Sequence, residues 1–232
     1  PVHLAHSIAT IDNISGGRIV LGLGAGRSNN QMFVDEHAIV GVPITERADR
    51  MEESIDVLRM LWSQDNVSHP EGYYPLNDVT LEPRPVQDQV PIWLSSNWVQ
   101  RGLKRVAAQG DGWITNVPST EMFTKCLDKI EEKGAELGKD VSGIKRALYI
   151  SVNLNDEGEA LSEGDGFMRA YYGIPYEVVS KQLLCVFGPA QKAIDAIKRY
   201  KEAGADYFIV RFASPNQMEQ LEKFTELVAP HV

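Results

Sequence analysis

The sequence contains little that is typical of secreted, metal-binding or nucleic-acid-binding proteins. Its two cysteines, Cys126 and Cys185, lie in apolar, helix-like surroundings, with no Cys-x-x-Cys and no histidine at metal-ligand spacing. We therefore expect two reduced packing residues in a cytoplasmic protein, and no metal site. No run of Lys or Arg occurs, and the formal net charge of −9 repels phosphate backbones and anionic lipid. Nucleic acid is accordingly excluded as an expected partner.

Long apolar segments and an N-terminal leader are also missing. No apolar stretch approaches the ~20 residues that span a bilayer, so we expect no membrane partner. The first residues have no charged leader and no initiator Met, yet Leu4, Ile8, Ile11 and Ile14 recur at helical spacing. We expect an opening helix, and we expect residues upstream of Pro1 to be missing from the sequence.

What the sequence does contain is a repeated alternation of short apolar runs and helical patterns. Runs without polar alternation are typical of strands buried on both faces of a parallel sheet. The five runs are RIVLGL at 18–23, PIWLSSN at 91–97, DGWIT at 111–115, RALYISVNL at 146–154 and DYFIVRF at 206–212. Five strands, each followed by helix, predict an α/β domain of right-handed β-α units over residues 1–232.

Two regions depart from this alternation. Turn-forming residues dominate 67–90, which predicts an excursion or small hairpin outside the main sheet. Residues 157–187 predict helix in two pieces, broken near the Gly-Ile-Pro sequence that begins at Gly173.

Helix ends carry their own signals. Thr45 is the expected N-cap of the helix that ends at Trp62, and Ser119 or Thr120 is the expected N-cap of a helix that ends at Gly138. The last helix is expected to begin at Ser214, with Pro at its first position and with inward-facing side chains. These side chains are Met218, Leu221, Phe224 and Val228.

Three glycines follow the first strand at two-residue spacing: Gly22, Gly24 and Gly26. A dinucleotide-binding loop needs Gly-x-Gly-x-x-Gly, and here the third glycine comes one residue early while Arg27 follows it. Two interpretations remain open. The glycines permit close packing and a bend of the chain, or the strand end leaves room for a flat ring against bare backbone at the mouth of a parallel barrel.

Four segments, in this order and spacing, resemble the bacterial luciferase-like monooxygenase family. They are LAHSIATIDNISGGRIVLGLGAG, RADRMEESIDVLRMLW, EGYYPLNDVTLEPRPVQDQVPIWLSSN and GDGWIT. The resemblance is strongest over 4–116 and extends more weakly to the last β-α unit. It implies a (β/α)8 TIM-barrel fold and flavin-dependent oxidation or hydride transfer. The implied cofactor is FMN or, alternatively, an 8-hydroxy-5-deazaflavin coenzyme.

The chain departs from the family in length. The resemblance places RIVLGLG at the fourth of eight strands, so about five of eight parallel β-α units are present and the N-terminal third of the family's barrel is absent. An open parallel sheet leaves two unpaired edges, which predicts a homo-oligomer, most simply a dimer. Two functions stay open: a flavin-dependent oxidoreductase or monooxygenase acting on a small organic substrate, and a non-catalytic flavin-binding or structural remnant of the same barrel.

The residues Ser95, Ser96 and Asn97 join a predicted strand to a helix, where free backbone N–H groups, hydroxyls and an amide bind anions. The resemblance implies that these positions lie at the phosphate or side chain of the cofactor. The alternative is simple N-capping of the helix by Ser96 or Asn97.

Other candidates lie at the ends of predicted strands. The resemblance places Gly24, Ala25, Gly26 and Asn30 beside the flavin ring, and Arg27 is a candidate for binding the ring or a substrate. Asn116 and Arg211 are further candidates for substrate contact. Arg211 either binds an anion or pairs with an acidic neighbour.

The sequence assigns no acid-base catalyst, so the catalytic residues stay unknown. Asp35, Glu36 and His37 are placed in a loop, where His37 has no visible partner. Trp113 is interpreted as a core residue, and the resemblance implies that the nearby Thr115 lines the pocket. No substrate is identified by the sequence.

Overall fold

The computed structural model describes residues 1–26 and 31–232, which form two units, each described by itself below. The first unit consists of Pro1–Ser95 with Ala108–Asp111, and the second of Ser96–Ala107 with Gly112–Val232. The elements of the first unit are α1 (Val2–Ser15), β1 (Leu21–Leu23), α2 (Gln31–Ile39), a 3-10 turn (Ile44–Glu46), α3 (Arg47–Ser63), β2 (Val67–His69), β3 (Leu76–Val79) and β4 (Ile92–Ser95).

Strands β1 and β4 of the first unit pair in parallel, with Leu21 opposite Ile92 and Gly22 opposite Trp93. Leu21 and Ile92 are buried, whereas Gly22 is exposed. The prediction that this strand is buried on both faces is therefore wrong, because side chains of successive residues point to opposite faces and only one of those faces is covered.

The opening helix α1 is confirmed, and alanines rather than the recurring isoleucines line its buried face. Ala5 and Ala9 are fully buried, and Trp62 of α3 donates its indole N–H to the carbonyl oxygen of Ala5 at 3.1 Å. Ile11 is 46% exposed and Ile14 is 80% exposed. Small side chains let the two helices approach closely, so the alanine row rather than the isoleucine row faces the core.

Helix α3 buries the side chains that its periodicity predicts. Its buried residues are Ala48, Ile55, Val57, Leu58, Leu61 and Trp62. Thr45 is not its N-cap, because Ile44–Glu46 form a 3-10 turn and the helix proper begins after Glu46. The extra turn moves the start of the helix beyond the reach of the threonine hydroxyl.

Strands β2 and β3 pair antiparallel in a separate two-stranded sheet, with Val67 opposite Val79. This hairpin lies within the turn-rich segment at 67–90. Glu53 of α3 holds the loop between the strands, because its carboxylate accepts backbone N–H groups of Tyr73 at 2.9 Å and Tyr74 at 2.8 Å.

The second unit contains most of α4 (Gln100–Gln109) and the remaining elements. These are β5 (Gly112–Thr115), α5 (Thr120–Leu137), β6 (Lys145–Leu154), α6 (Glu157–Tyr172), α7 (Tyr176–Val179), β7 (Cys185–Gly188), α8 (Ala190–Glu202), β8 (Tyr207–Phe212), α9 (Gln217–Leu227) and a 3-10 turn (Ala229–His231). None of the helices in the described residues is long and apolar enough to cross a membrane.

Strand β6 is the centre of the sheet in the second unit, and its pairings with β5, β7 and β8 are all parallel. Leu148 pairs with Thr115 of β5 and with Phe208 of β8, so β5 and β8 flank opposite sides of β6. Val152 pairs with Val186 of β7 and with Phe212 of β8. Strand β7 therefore lies on the same side of β6 as β5, beyond the point where β5 ends.

Strand β7 corrects the prediction of continuous helix up to residue 187. The break near Gly173 is confirmed, since Gly173 ends α6 with φ of 71° and α7 follows. The four-residue strand Cys185–Gly188 has no length or periodicity that separates it from helix in the sequence. Helix α8 follows it directly, so within the described residues β7 adds a sixth β-α unit to the five that the sequence predicts.

Helix caps in this unit follow the sequence in one case and depart from it in another. Ser119 accepts the N–H of Met122 and Gly138 ends α5 in the left-handed region, as predicted. The N-cap of α9 is Asn216, whose side chain accepts the N–H of Glu219, rather than Ser214. Met218 is 66% exposed and Leu221 is 43% exposed, so the predicted inward face of this helix is wrong at these two positions.

The core of the second unit contains three aromatic rings in contact. Trp113 is fully buried with its ring 5.1 Å from that of Phe123, which lies 5.6 Å from the ring of Tyr200. Tyr200 donates its hydroxyl to the carbonyl oxygen of Val117 at 2.8 Å, which satisfies the polar end of a buried side chain. Cys126, three residues after Phe123 on α5, is also buried and is a free thiol.

Candidate functional site

In the first unit, the glycine-rich end of β1 lies beside the end of β4. Leu23 pairs with Leu94, so the next residues, Gly24 and Ser95, are neighbours: a Cβ atom at Gly24 would lie 3.4 Å from Cβ of Ser95. Gly24 and Ser95 are both exposed. The strand end therefore presents backbone without side chains next to a serine hydroxyl.

The chain bends at Gly26, which has a φ of 70°; apart from its chain neighbours, no heavy atom of residues 1–26 and 31–232 lies within 4 Å of the position that a Cβ would take. A left-handed backbone conformation favours glycine, so the bend interpretation of this glycine is supported. The open space above it also fits the flat-ring interpretation. Arg27 and Asn30, the other candidates in this stretch, lie outside the described residues.

In the second unit, the Asn97 amide is the centre of a hydrogen-bond network at the carboxyl end of β5. Its Oδ1 accepts from Thr115 Oγ1 at 2.9 Å and from the backbone N–H of Asn116 at 3.3 Å. Its Nδ2 donates to Asn116 Oδ1 at 2.7 Å. Both ends of the amide are therefore used, and no hydrogen bond joins it to the N–H groups of α4 in the described chain. The N-capping alternative for Asn97 is not supported.

Ser96 is fixed by short-range contacts in the same unit. Its hydroxyl donates to the carbonyl oxygen of Asn97 at 3.0 Å, and its own carbonyl accepts the indole N–H of Trp113 at 2.7 Å. The contact explains how Trp113 is both a core residue and a support for the site. Ser96 is half-buried between these groups, so it orients the loop more than it offers a free hydroxyl.

The polar network carries neutral donors and no formal charge. Asn116 accepts from Asn97 with its amide oxygen, so its amide nitrogen faces away with two N–H groups, which donate to no acceptor in residues 1–26 and 31–232. Half-buried amide donors at the carboxyl end of a parallel strand suit a polar, uncharged or anionic ligand atom. The structure thus brings together three of the sequence candidates: Ser96, Asn97 and Asn116.

Arg211 lies on β8 of the second unit, and β6 separates β8 from β5, the strand that Asn116 follows. Leu184 connects the two regions, since its N–H donates to the carbonyl oxygen of Asn116 at 2.8 Å and its carbonyl accepts the N–H of Ser151 at 3.0 Å. Ser151 Oγ in turn accepts from Arg211 Nη2 at 3.0 Å. The acidic-neighbour alternative is not supported, because no ion pair joins Arg211 to a carboxylate in the described part of the chain.

The sequence did not point to the side chains that surround Arg211. They are Tyr149, Ser151, Phe167, Tyr171 and Tyr172. One signal was available: Tyr149 and Ser151 alternate along β6 and therefore share a face, and Phe167 and Tyr171 are four residues apart on one side of a helix. Their approach to Arg211 depends on the return of α6 to β8, which no local pattern indicates.

The acidic and histidine residues near the first strand end have structural contacts. Asp35, Glu36 and His37 lie in helix α2 and not in the predicted loop. His37 Nδ1 is 2.8 Å from the carbonyl oxygen of Phe33, and Asp35 accepts from the Gln31 amide at 2.8 Å. In the described part of the chain, no three His, Cys, Asp or Glu side chains form a group able to hold a metal ion.

Parallel β-α units with polar strand ends are the features of a TIM-barrel enzyme. The fold is an incomplete (β/α)8 TIM barrel. The chain belongs to the luciferase-like monooxygenase family, whose model matches residues 1–182.

Individual relatives support the same grouping. The chain is 28% identical to an "F420-dependent glucose-6-phosphate dehydrogenase" of Kribbella flavida, over 99% of this chain and 74% of that protein. The solved "F420-dependent secondary alcohol dehydrogenase in complex with an F420-acetone adduct" has a TM-score of 0.79 and 25% identity, over 98% of this chain and 74% of that one. An F420-dependent tetrahydromethanopterin reductase from Methanopyrus kandleri shares the fold, with a TM-score of 0.76 at 19% identity, over 100% of this chain and 79% of that one.

Proposed function

We propose that the chain is a flavin-class oxidoreductase that binds a deazaflavin of the F420 type and acts on a small organic substrate. The observation that carries this proposal is the Asn97, Thr115 and Asn116 network at the carboxyl end of β5. Active sites of TIM-barrel enzymes lie at the carboxyl ends of the strands. The names of the similar dehydrogenases favour F420 over FMN, and FMN stays the alternative because the chain belongs to the luciferase-like monooxygenase family.

The described residues fit such a cofactor in two respects. Gly24 and Gly26 have no side chains of their own, and among the described residues of the first unit only Ser95 lies near Gly24, so the backbone there suits a planar ring. Asn116 offers amide donors in the second unit, which suit a phosphate or a polar ring atom. When bound, the cofactor supplies the redox chemistry, namely hydride acceptance or donation.

The residues of the chain then bind and orient rather than react. We assign ring contact to Gly24, Ala25 and Gly26, and hydrogen bonding to Ser95 and Asn116. Ser96 and Asn97 position Asn116 through the bonds described above. Asn30 stays a candidate for ring contact, and Arg27 a candidate for substrate contact, by resemblance alone. No acid-base residue is assigned.

Titration of the purified full chain with F420, and separately with FMN, tests this proposal through quenching of cofactor fluorescence. We expect binding in the micromolar range. Asn97→Asp retains both acceptor contacts of Oδ1 but loses the Nδ2 donor to Asn116 Oδ1 and adds a negative charge. The Asn116 amide must then turn its N–H groups toward the new carboxylate, so binding of the anionic cofactor should weaken at least tenfold. Asn77→Ala, at an exposed asparagine of β3, is the control and should bind like the original chain.

Each result separates the alternatives. If neither cofactor binds, both the enzyme and the flavin-binding remnant are excluded, and the structural remnant is favoured. If Asn97→Asp and Asn116→Ala both bind with unchanged affinity, the network is not part of the cofactor site. Binding of FMN without F420 reverses the cofactor assignment and favours a monooxygenase.

We also propose that the chain works as one luciferase-like domain and as a homodimer. Exposed apolar residues on α1, such as Ile11 and Ile14, favour self-association because solvent contact with them is unfavourable. Light scattering of the purified chain measures its mass, and a monomer at micromolar concentration contradicts this part of the proposal.

A further inference from the structure

Three side chains form a row across neighbouring strands in the second unit. Ser151 of β6 pairs with Cys185 of β7 on one side and with Arg211 of β8 on the other. Residues paired across parallel strands point to the same face of a sheet. The row therefore places a thiol, a hydroxyl and a guanidinium next to one another on a single face, where Tyr149 also lies, two residues before Ser151 on β6.

Aromatic rings surround the guanidinium of Arg211. Its Cζ lies 4.6 Å from the ring centre of Tyr171, 5.1 Å from that of Tyr172 and 5.2 Å from that of Tyr149. Phe167 is 5.6 Å away, and its ring stacks on that of Tyr171 at an interplanar angle of 8°. The rings hold the cation by their electron-rich faces and supply apolar walls.

The hydrogen bonds of Arg211 fix the role of the neighbouring hydroxyls. Nη2 donates to Ser151 Oγ at 3.0 Å and to Tyr172 Oη at 2.9 Å. Because each oxygen accepts from the guanidinium, each hydroxyl hydrogen is directed toward another partner. Nε of Arg211 is buried and has no hydrogen-bond partner among the described residues. The cluster thus offers hydrogen-bond donors and one positive charge, and the described part of the chain supplies no matching anion.

Negative charge is absent from the other described side chains in contact with this cluster. Burial raises the pKa of the Cys185 thiol to about 11, although Arg211 lowers it in part, so the thiol stays neutral at pH 7. Burial likewise raises the pKa of Tyr149, despite the opposing effect of Arg211. Glu163 of α6 accepts instead from the amides of Asn153 at 2.9 Å and Asn155 at 3.2 Å.

We infer that Arg211, Ser151 and Tyr172 form a binding site for the carboxylate of a small organic molecule whose apolar part contacts Phe167 and Tyr171. A carboxylate accepts from a guanidinium and from hydroxyls in the same plane. Its single charge matches the one cation of the cluster, whereas a phosphate dianion needs a second cation. An aromatic or otherwise flat apolar group can pack against the outside of this stacked pair of rings.

The role of this carboxylate as the substrate of the enzyme rests on the proposed function, but its binding does not. Leu184 joins the backbone of Asn116 to that of Ser151, so the carboxylate site and the proposed cofactor network lie on adjoining segments of the second unit. A substrate anchored by its carboxylate at Arg211 would be held at a fixed position relative to Asn116.

Calorimetric titration of the full chain, without cofactor, tests the site with three probes: benzoate, its neutral analogue benzamide, and inorganic phosphate. We expect benzoate to bind and benzamide to bind at least tenfold more weakly. Arg211→Gln should weaken benzoate binding tenfold or more, and Tyr172→Phe should weaken it several-fold, because a charge-assisted bond and one hydroxyl donor are lost.

Two further variants guard against unspecific effects. Arg169→Gln removes a positive charge from an exposed position of α6 and should leave benzoate affinity unchanged. Arg211→Lys keeps the charge but loses the planar guanidinium, so it should fold and bind benzoate with intermediate affinity. Equal benzoate affinity in Arg211→Gln and the original chain overturns the inference, as does the absence of benzoate binding.

The remaining results also decide the question. Phosphate binding that is tighter than benzoate binding and is lost in Arg211→Gln overturns the assignment to a carboxylate. A chain that binds benzoate but neither flavin keeps this site and loses the proposed function. A chain that binds flavin but not benzoate keeps the proposed function and loses this site.

Discussion

Gly102 of α4 lies directly against Ser96: a Cβ atom on Gly102 would be 2.2 Å from the Ser96 hydroxyl oxygen and 3.0 Å from its Cβ. Both residues belong to the second unit. The hydroxyl of Ser96 can occupy its position only because residue 102 has no side chain, so the start of α4 and the loop after β4 are specified together.

Gly102→Ala should therefore displace the Ser96 side chain and lower both stability and cofactor affinity. We expect a loss of about 1–3 kcal/mol in the free energy of unfolding, as for other overpacked sites. The double variant Gly102→Ala with Ser96→Gly removes the clash and should recover most of that loss. Urea denaturation and cofactor titration measure the two effects, and a Gly102→Ala chain with unaltered stability would show that the loop moves freely.

Two glycines of α6 provide a matched pair for a packing test. A Cβ atom on Gly164 would lie 2.3 Å from Cε2 of Phe187, which is only 6% exposed and packs in a cluster with Met168, Val179 and Leu183. Gly164→Ala should destabilise the chain by about 1–3 kcal/mol, because the ring has no room to move.

Gly166 is the control on the same helix, since it is exposed and, outside its own helical turn, no heavy atom of the described residues lies within 4 Å of the position that a Cβ would take. Gly166→Ala should stabilise the chain by up to about 1 kcal/mol through the higher helix propensity of alanine. Urea denaturation of both variants checks the pair. Equal effects of the two substitutions would contradict the packing of Gly164 on Phe187.

Glu53 should make the stability of the first unit depend on pH. Burial raises the pKa of Glu53, but hydrogen bonds from the backbone of Tyr73 and Tyr74 and from His69 outweigh it, so the pKa lies below its ordinary value. A carboxyl with a lowered folded-state pKa contributes stability above its unfolded pKa of about 4.3, and the contribution is lost as pH falls through the lowered pKa.

The difference in unfolding free energy between the original chain and Glu53→Gln should thus be largest near pH 7 and should shrink below about pH 4. Denaturation curves at a series of pH values measure this difference. Glu71→Gln, at an exposed position in the same hairpin, should show no such dependence. A Glu53→Gln difference that stays constant from pH 7 to acid would contradict the role of the carboxylate.

Much of the fold could be predicted because local signals decide it. The apolar runs that became β4, β5, β6 and β8 are short and bounded by turns, and Ser119 and Gly138 set the ends of α5 through their own side chain and backbone. The exceptions depend on tertiary contact. Helix α1 faces its alanines inward because Trp62 reaches Ala5, a contact across 57 positions that the pattern of isoleucines does not contain.

The candidate site divides in the same way. The ends of predicted strands mark Gly24 and Ser95 in the first unit and Asn97 and Asn116 in the second. The surroundings of Arg211 could not be predicted, because Tyr172 reaches it from 39 positions away and Ser151 from 60. Strand β7 was missed for lack of length, and with it the row that joins Cys185 to Ser151.

Strand β7 has a consequence for how such a protein diversifies. Helices α6 and α7 connect β6 to β7. Because these two strands pair with each other, the connection begins and ends at adjacent strands. Insertions, deletions or exchanges in this connection leave the pairing of β6 with β5 and β8 intact. The aromatic residues of α6 that contact Arg211 can consequently be exchanged, in evolution or by engineering, while the strands β5, β6 and β8 are retained.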